Sequence, residues 1–256
     1  MPYTFLEILS LAAVIFISGL IHGLVGFAFA LTALPLLALI KEVKFAVPLL
    51  SLFSFSINLI MLIILHEKRI FKIPFYFFMV ILLGVVLGVK GLTILSELTL
   101  RKILFGAILV YFLWEIYQLR INKTIKYITQ INPKYFNSPL SLSVAFLVGL
   151  LGGLLNTPGP PIVIYLSMLR LDKDLLKATL QLIFAATSLM AAISHFLVGN
   201  LSKEIALLYL YLLPLAIIGL FIGQKFYLKL TNKVYYYLVN IFLLISAFLI
   251  LLKPLH

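Results

Sequence analysis

Three prolines and a glycine fill four consecutive positions, Pro158-Gly159-Pro160-Pro161, inside an apolar stretch that runs from Ser141 to Arg170. Proline lacks a backbone donor and clashes with the preceding helical turn, so this cluster cannot sit within one continuous helix. The flanking segments are too apolar for a loop in water. A helix interrupted at membrane depth frees backbone groups that lipid cannot satisfy. Such interruptions persist only where they are buried in protein or line a cavity. The break therefore reads as the centre of a transport site, and the rest of the chain as its housing.

Composition supports a membrane setting. The 256 residues are 64% hydrophobic and only 11% charged, with a mean hydropathy of +1.20. Soluble domains carry about a quarter charged residues. The apolar segments run to about 20 residues without strict alternation, which fits helices and excludes an outer-membrane barrel. A net charge of +12 invites a nucleic-acid reading. The Lys and Arg residues fall in short loops between spans, however, where they serve as orientation signals and headgroup contacts. No nucleic-acid partner is expected. The absence of Cys removes disulfides and thiolate chemistry. The N-terminal stretch lacks a basic n-region and a small-residue cleavage site, so no removable signal peptide is expected.

The first apolar region, 5–40, would form a helix about 54 Å long if straight, against a bilayer core of about 30 Å. It must break, and His22-Gly23-Leu24-Val25-Gly26-Phe27 is the candidate place. Spans are expected at 45–65, 74–89 and 100–119, closing a first unit at residue 120. A polar, basic linker occupies 121–138. The second unit, 139–256, holds the broken region 141–169 and spans at 178–198, 205–224 and 234–252.

The two units resemble each other. Gly23 and Gly26 align with Gly149 and Gly152, and Pro35 with Pro161, at an offset of 126. Gly84, Gly88 and Lys90 align with Gly219, Gly223 and Lys225 at an offset of 135. A single Gly-x-x-x-Gly marks only close helix packing, but four features in the same order indicate a duplication. If each broken region crosses the membrane, the repeats are parallel. If each is re-entrant, they are inverted. In the inverted case Lys68, Arg69, Lys72, Arg120, Lys123, Lys126, Lys134, Arg170, Lys173, Lys177, Lys225, Lys229 and Lys233 share one side. That is 13 cations against 7 on the other. The parallel case splits them 11 to 9. The positive-inside rule favours the inverted arrangement with both termini outside. The expected fold is thus an all-α polytopic membrane protein of two inverted repeats. Each has one broken or re-entrant helical region and three transmembrane helices, a recurrent transporter plan.

These motifs, namely the paired Gly-x-x-Gly segments, Gly159-Pro160-Pro161 and the Gly-x-x-x-Gly before Lys90 and Lys225, resemble the sulfite exporter TauE/SafE family over nearly the whole chain. The resemblance implies a multi-pass cell-membrane transporter of small sulfur-containing anions such as sulfite, thiosulfate or organosulfonates. The chain departs from that pattern at Phe27-Ala28-Phe29-Ala30 and at Asn156-Thr157, where glycines are usual in the family. Both changes alter the pocket wall.

A small anion in a bilayer needs positive potential without tight trapping. Half-helix N-termini supply unpaired N–H groups and partial positive charge. Half-helices beginning near Phe27 and near Pro160 are expected to aim at one central anion; the plainer alternative is a kink in a packed bundle. Asn156 and Thr157 can hydrogen-bond an oxyanion or simply cap the next helix. His22 beside the first break can donate to the anion, and can carry a coupling proton; the alternative is a packed histidine on a nearby carbonyl. Asn58 and Gln181 lie inside apolar spans and either face the pocket or bond between helices, with Ser54, Ser56, Thr187 and Ser188 as weaker cases. The substrate-binding set is accordingly His22, Gly23, Gly26, Phe27, Asn58, Asn156, Thr157, Pro158, Gly159, Pro160 and Gln181. His195, Lys90, Lys225 and Glu115 read as span-end residues; the alternatives are an anion-funnel role for Lys90 and Lys225, raised by their equivalent places in the two units, and a proton site at Glu115. Asp172 and Asp174, among Arg170, Lys173 and Lys177, read as a solvated loop. No enzyme motif, cofactor site or metal cluster emerges. Expected partners are the anion, membrane lipid, a proton as coupling ion and further copies of the chain in a homo-oligomer. The alternatives to a transporter working by alternating access are an anion channel and a non-transporting membrane scaffold.

Overall fold

The computed structural model describes residues 4–26, 28–65, 73–121, 133–169 and 173–227, and all the regular structure among them is helical. In chain order the helices are α1 (Phe5–Val25), α2 (Phe29–Ile40), α3 (Val43–Ile64), α4 (Phe75–Ile94) and α5 (Glu97–Ile121). After a 3-10 turn at Pro133–Asn137 come α6 (Pro139–Leu155), α7 (Gly159–Met168), α8 (Lys173–Leu197) and α9 (Lys203–Tyr227). Five of them, α1, α3, α4, α8 and α9, are long and apolar enough to cross a membrane. Large apolar side chains such as Phe5, Leu197 and Phe196 face outward, as expected of a surface solvated by lipid. The expected span 234–252, the Lys68–Lys72 loop and most of the basic linker lie outside the described residues.

Local chemistry starts and stops the two interrupted helices in the same way. Thr4 and Glu7 form a capping box at the start of α1, with the Glu7 N–H donating to Thr4 Oγ1 at 3.2 Å. Ser138 and Ser141 do the same for α6, with Pro139 at the first helical position, where its missing N–H costs nothing. Each helix ends on a left-handed residue, Gly26 at φ 89° and Asn156 at φ 51°. Glycine, and among other residues asparagine, take that conformation readily.

The chain then turns back. Lys41, just past α2, pairs with Glu7 at the start of α1, with Nζ and Oε1 3.2 Å apart. The Tyr165 hydroxyl of α7 donates to the Tyr135 carbonyl in the 3-10 turn before α6. Each short helix thus returns to the side of the protein from which its long partner set out. The α3 start and the α5 start share the first side, since the Val43 N–H donates to the Glu97 carboxylate at 2.9 Å.

Glycines let the longest contacts form. Gly19 and Gly23 of α1 lie on Gly219 and Gly223 of α9, while Gly84 and Gly88 of α4 lie on Gly149 and Gly153 of α6. A Cβ at any of these eight positions would overlap a backbone atom of the facing helix, so only glycine permits such close approach. In both pairs the contacts advance in the same direction along both chains, so α1 runs parallel to α9 and α4 to α6. The start of α6 is therefore on the side opposite the start of α1. We call these the second side and the first side. Helix α8 crosses from the second side to the first against α3.

Candidate functional site

The two breaks and the facing middles of α3 and α8 line a partly open cavity of about 20 Å³, room for about one water molecule. Its wall takes His22 from α1, and Phe29, Ala30 and Leu31 from the start of α2. Ser54 and Asn58 come from α3, the segment Asn156 to Gly159 from the second break, and Phe184 and Ser188 from α8. Among the described residues no Lys, Arg, Asp or Glu contributes to this wall.

Several polar atoms here lack a protein partner. Asn58 Oδ1 and Thr157 Oγ1 are buried without a hydrogen-bond partner, and His22 Nε2 makes no hydrogen bond of good geometry, although its ring interacts with the side chain of Gln181, whose Oε1 is likewise without a well-formed partner. His22 is 1% exposed, Asn58 4% and Thr157 1%. A buried polar group left unpaired costs about 1–3 kcal/mol, so their gathering around one cavity marks a place built for something else to bond. The His22 tautomer follows from its other nitrogen. The Phe29 N–H donates to Nδ1 at 3.3 Å, so Nδ1 is the acceptor and the ring proton sits on Nε2. The imidazole caps the start of α2 with one edge and carries a donor on the other.

Across the cavity, Asn156 uses its backbone and its side chain separately. Its left-handed backbone closes α6, with N–H to Gly152 O at 3.0 Å. Its side-chain Nδ2 donates to Ser54 Oγ at 2.8 Å, tying the second break to α3. Ser188 Oγ donates to Phe184 O at 2.6 Å, so that hydroxyl proton is already committed.

The half-helix N-termini are unequal. In α2 the Phe29 N–H is taken by His22 and the Thr32 N–H by Ala28 O. Ala30 and Leu31, whose N–H groups belong to the unpaired first turn, both line the cavity. In α7 the residues Pro158, Pro160 and Pro161 have no N–H, so Gly159 is the chief backbone donor at that end. The prolines that break the helix also remove donors from it.

Of the expected binding residues, the structure brings His22, Asn58, Asn156, Thr157, Pro158 and Gly159 to the cavity wall. Gly23 lies instead in the contact with α9. Gly26 caps α1, and its carbonyl accepts from Gln181 Nε2. Pro160 is buried one residue beyond the wall. Phe27 lies outside the described residues. His195 is fully buried, with Nδ1 3.1 Å from Asn200 Nδ2. Lys90 and Lys225 are exposed. The side chain of Glu115 is outside the described residues.

Lys177 differs most from its sequence reading. It is not in a loop but on α8, 6% exposed. Its Nζ donates to Gln224 Oε1 of α9 at 2.9 Å and lies 3.9 Å over the Tyr227 ring. The signal was present: 177, 181, 184 and 188 recur at helical spacing on one face, and the last two line the cavity. Leu31 and Phe184 were also not singled out, being apolar in apolar spans. Among the described residues no three His, Asp or Glu side chains come together as a metal site.

A family model described as "Sulfite exporter TauE/SafE" matches residues 11–250 of the chain. No curated protein and no solved structure matches it.

Proposed function

The chain belongs to the sulfite exporter TauE/SafE family, and from that premise we propose that it is a secondary transporter that binds one small sulfur oxyanion in the cavity between its two breaks. The family is one of membrane transporters rather than enzymes. The observation that carries the site is the set of buried polar atoms without a well-formed protein partner, on His22, Asn58 and Thr157, around one cavity that has no cation among the described residues of its wall. Neutral donors and two helix N-termini stabilise an anion while allowing its release. A cavity of about 20 Å³ holds little more than a water. We take it as a contracted form of the site, which widens toward one side or the other as the breaks move apart. Where a proton accompanies the anion, it enters at His22 Nδ1 and displaces the Phe29 N–H, loosening the start of α2.

The same proposal includes an inverted duplication. It is supported by the return of α2 to the start of α1 and of α7 to the start of α6, from opposite sides. Equivalent contacts also support an offset of 130, in place of 126, for the first helices of each unit. Gly19 and Gly23 correspond to Gly149 and Gly153, the left-handed Gly26 to Asn156, and the helix starts Phe29 to Gly159. Ser54 then falls on Phe184 and Asn58 on Ser188, and all four line the cavity.

The test is a binding screen of sulfite, sulfate, thiosulfate, sulfoacetate and taurine on purified protein, followed by flux in liposomes. A transporter gives saturable uptake and counter-transport. Single-channel current without counter-transport makes it a channel, and no binding of any of the five ends the proposal.

A further inference from the structure

The cavity wall offers acceptors as well as donors. Asn58 Oδ1 is buried without a partner. Ser188 Oγ spends its proton on the Phe184 carbonyl at 2.6 Å, so it has only lone pairs left to offer. Asn58 on α3 and Ser188 on α8 both line the cavity, and at the offset of 130 they are equivalent positions. Each unit thus contributes one acceptor. The donors are the Thr157 hydroxyl and the first-turn N–H groups of Ala30, Leu31 and Gly159. An anion that can only accept suits these donors but meets lone pairs at Asn58 and Ser188. An anion that also carries a polar hydrogen suits both.

Charge sets a second condition. Among the described residues the wall holds no charged side chain, and the apolar stretch 234–252 outside them holds no Lys, Arg, Asp or Glu either. The N-termini of α2 and α7 supply at most about one unit of positive charge between them. The carbonyl ends of α1 and α6 reach the same two breaks and offset part of it. The Born cost of desolvating an ion grows with the square of its charge, so a dianion costs about four times as much as a monoanion. A field sized for one charge leaves the second charge of a dianion uncompensated.

We infer that the site selects the proton-bearing monoanion of a sulfur oxyanion, hydrogensulfite rather than sulfite, with Asn58 Oδ1 receiving the hydrogen of the substrate. This rests on the central-site reading above. Sulfite and hydrogensulfite interconvert near neutral pH, whereas sulfate and thiosulfate stay dianions there. The proton in question travels on the substrate and is distinct from one at His22. Three titratable side chains surround the site from the packed helices. His22 of α1 lines the wall. Lys177 of α8 stands over Gly26. Tyr209 of α9 meets the Phe53 ring behind Phe29. A probe whose charge does not change with pH separates the substrate's proton from all three.

Sulfamate and methanesulfonate are such probes. Each is a monoanion with three oxygens on sulfur; sulfamate carries N–H donors where methanesulfonate carries a methyl. The experiment titrates both, with total sulfite and sulfate, into the purified full chain from about pH 6 to about pH 9. The affinity for total sulfite should fall toward about tenfold per pH unit at the alkaline end, as one proton is required, while that for sulfamate stays within about twofold. Sulfamate should bind about 2- to 13-fold tighter than methanesulfonate. Sulfate should bind about a hundredfold or more weaker than sulfamate. Asn58→Leu should bring sulfamate and methanesulfonate within about twofold of each other; weakening both equally would make Asn58 a structural residue or a donor and overturn its role. The wild-type series needs no variant to fold. Sulfite affinity that holds or rises at alkaline pH while sulfamate stays constant, or sulfate bound as tightly as sulfamate, would overturn the monoanion. No binding of any of the four at any pH sinks the central-site reading itself, a result distinct from these.

Discussion

The Phe29 N–H donates to His22 Nδ1 at 3.3 Å, so one side chain both starts α2 and presents Nε2–H beside the cavity. The two roles separate by substitution. In His22→Asn the shorter amide keeps an acceptor near Nδ1 and loses the donor. In His22→Gln the longer amide keeps a donor near Nε2 and loses the acceptor. A neutral hydrogen bond contributes about 0.5–1.5 kcal/mol, which is about 2- to 13-fold in affinity. His22→Asn should weaken sulfite binding by that factor with an unchanged melting temperature, and His22→Gln should lower the melting temperature with less loss of affinity. Uptake measured across neutral pH adds a further readout: if His22 carries the coupling proton, His22→Asn flattens the profile.

Thr157 Oγ1 is buried and unpartnered. Thr157→Val is nearly isosteric and removes a hydroxyl that gains nothing in the free protein. It should leave stability equal or slightly raised while weakening anion binding about 2- to 13-fold. Gly159→Leu acts by volume. Its Cβ would already touch Leu31 Cδ1 at 3.3 Å and Phe184 Cζ at 3.9 Å, so the longer chain fills the cavity and abolishes transport. Lys90 is exposed, and Lys90→Ala should bind normally. Isothermal titration of Thr157→Val and Lys90→Ala, with liposome flux for Gly159→Leu, checks the set; loss of binding in Lys90→Ala alone would move the anion to the membrane face.

The membrane class and the helical architecture were legible because they follow from composition and segment length. The second break carries its own signal, since nothing apolar with Pro158, Pro160 and Pro161 stays helical. The register of the internal match was harder to read. Gly23 and Gly26 look like one motif, yet Gly23 packs on α9 and Gly26 is a left-handed cap. Under the duplication proposed above, aligning them on Gly149 and Gly152 would mix the two jobs, four residues away from the offset of 130. Asn156, not Gly152, is the cap of α6. Lys177 was misread because a cation near a charge-rich loop looks solvated until the helix is known to begin at Lys173. The apolar wall, Leu31 and Phe184, has no signature in a chain where two residues in three are apolar.

The glycine contacts predict a specific fragility. In Gly23→Ala and Gly153→Ala the new methyl meets the Leu220 and Val85 carbonyls respectively. Backbone cannot yield as a side-chain tip can, so each helix pair must separate. Overpacking of this kind costs about 1–3 kcal/mol, and each variant should melt earlier in detergent. Gly106→Ala, whose Cβ meets nothing within 4 Å, is the matched control and should melt with the wild type.

Glu7 and Lys41 close the first hairpin on one side, and this makes topology testable with two positions. If α1–α2 and α6–α7 are re-entrant, Lys134 in the 3-10 turn and Lys203 at the start of α9 lie on opposite sides. If each broken region crosses, they lie on the same side. Orientation follows from charge. Lys177 is buried and no longer counts as a loop cation, which leaves 12 against 7, still an excess on the second side that assigns it to the cytoplasm. The chain has no Cys, so single Cys residues can be introduced without background. Both positions are exposed. Lys203→Cys should react with a membrane-impermeant maleimide in intact cells, and Lys134→Cys only after permeabilisation. Both reacting, or neither, would make the broken regions full crossings and the repeats parallel. The reverse pattern would keep the hairpins and invert the protein in the membrane, placing Lys177 on the outer side.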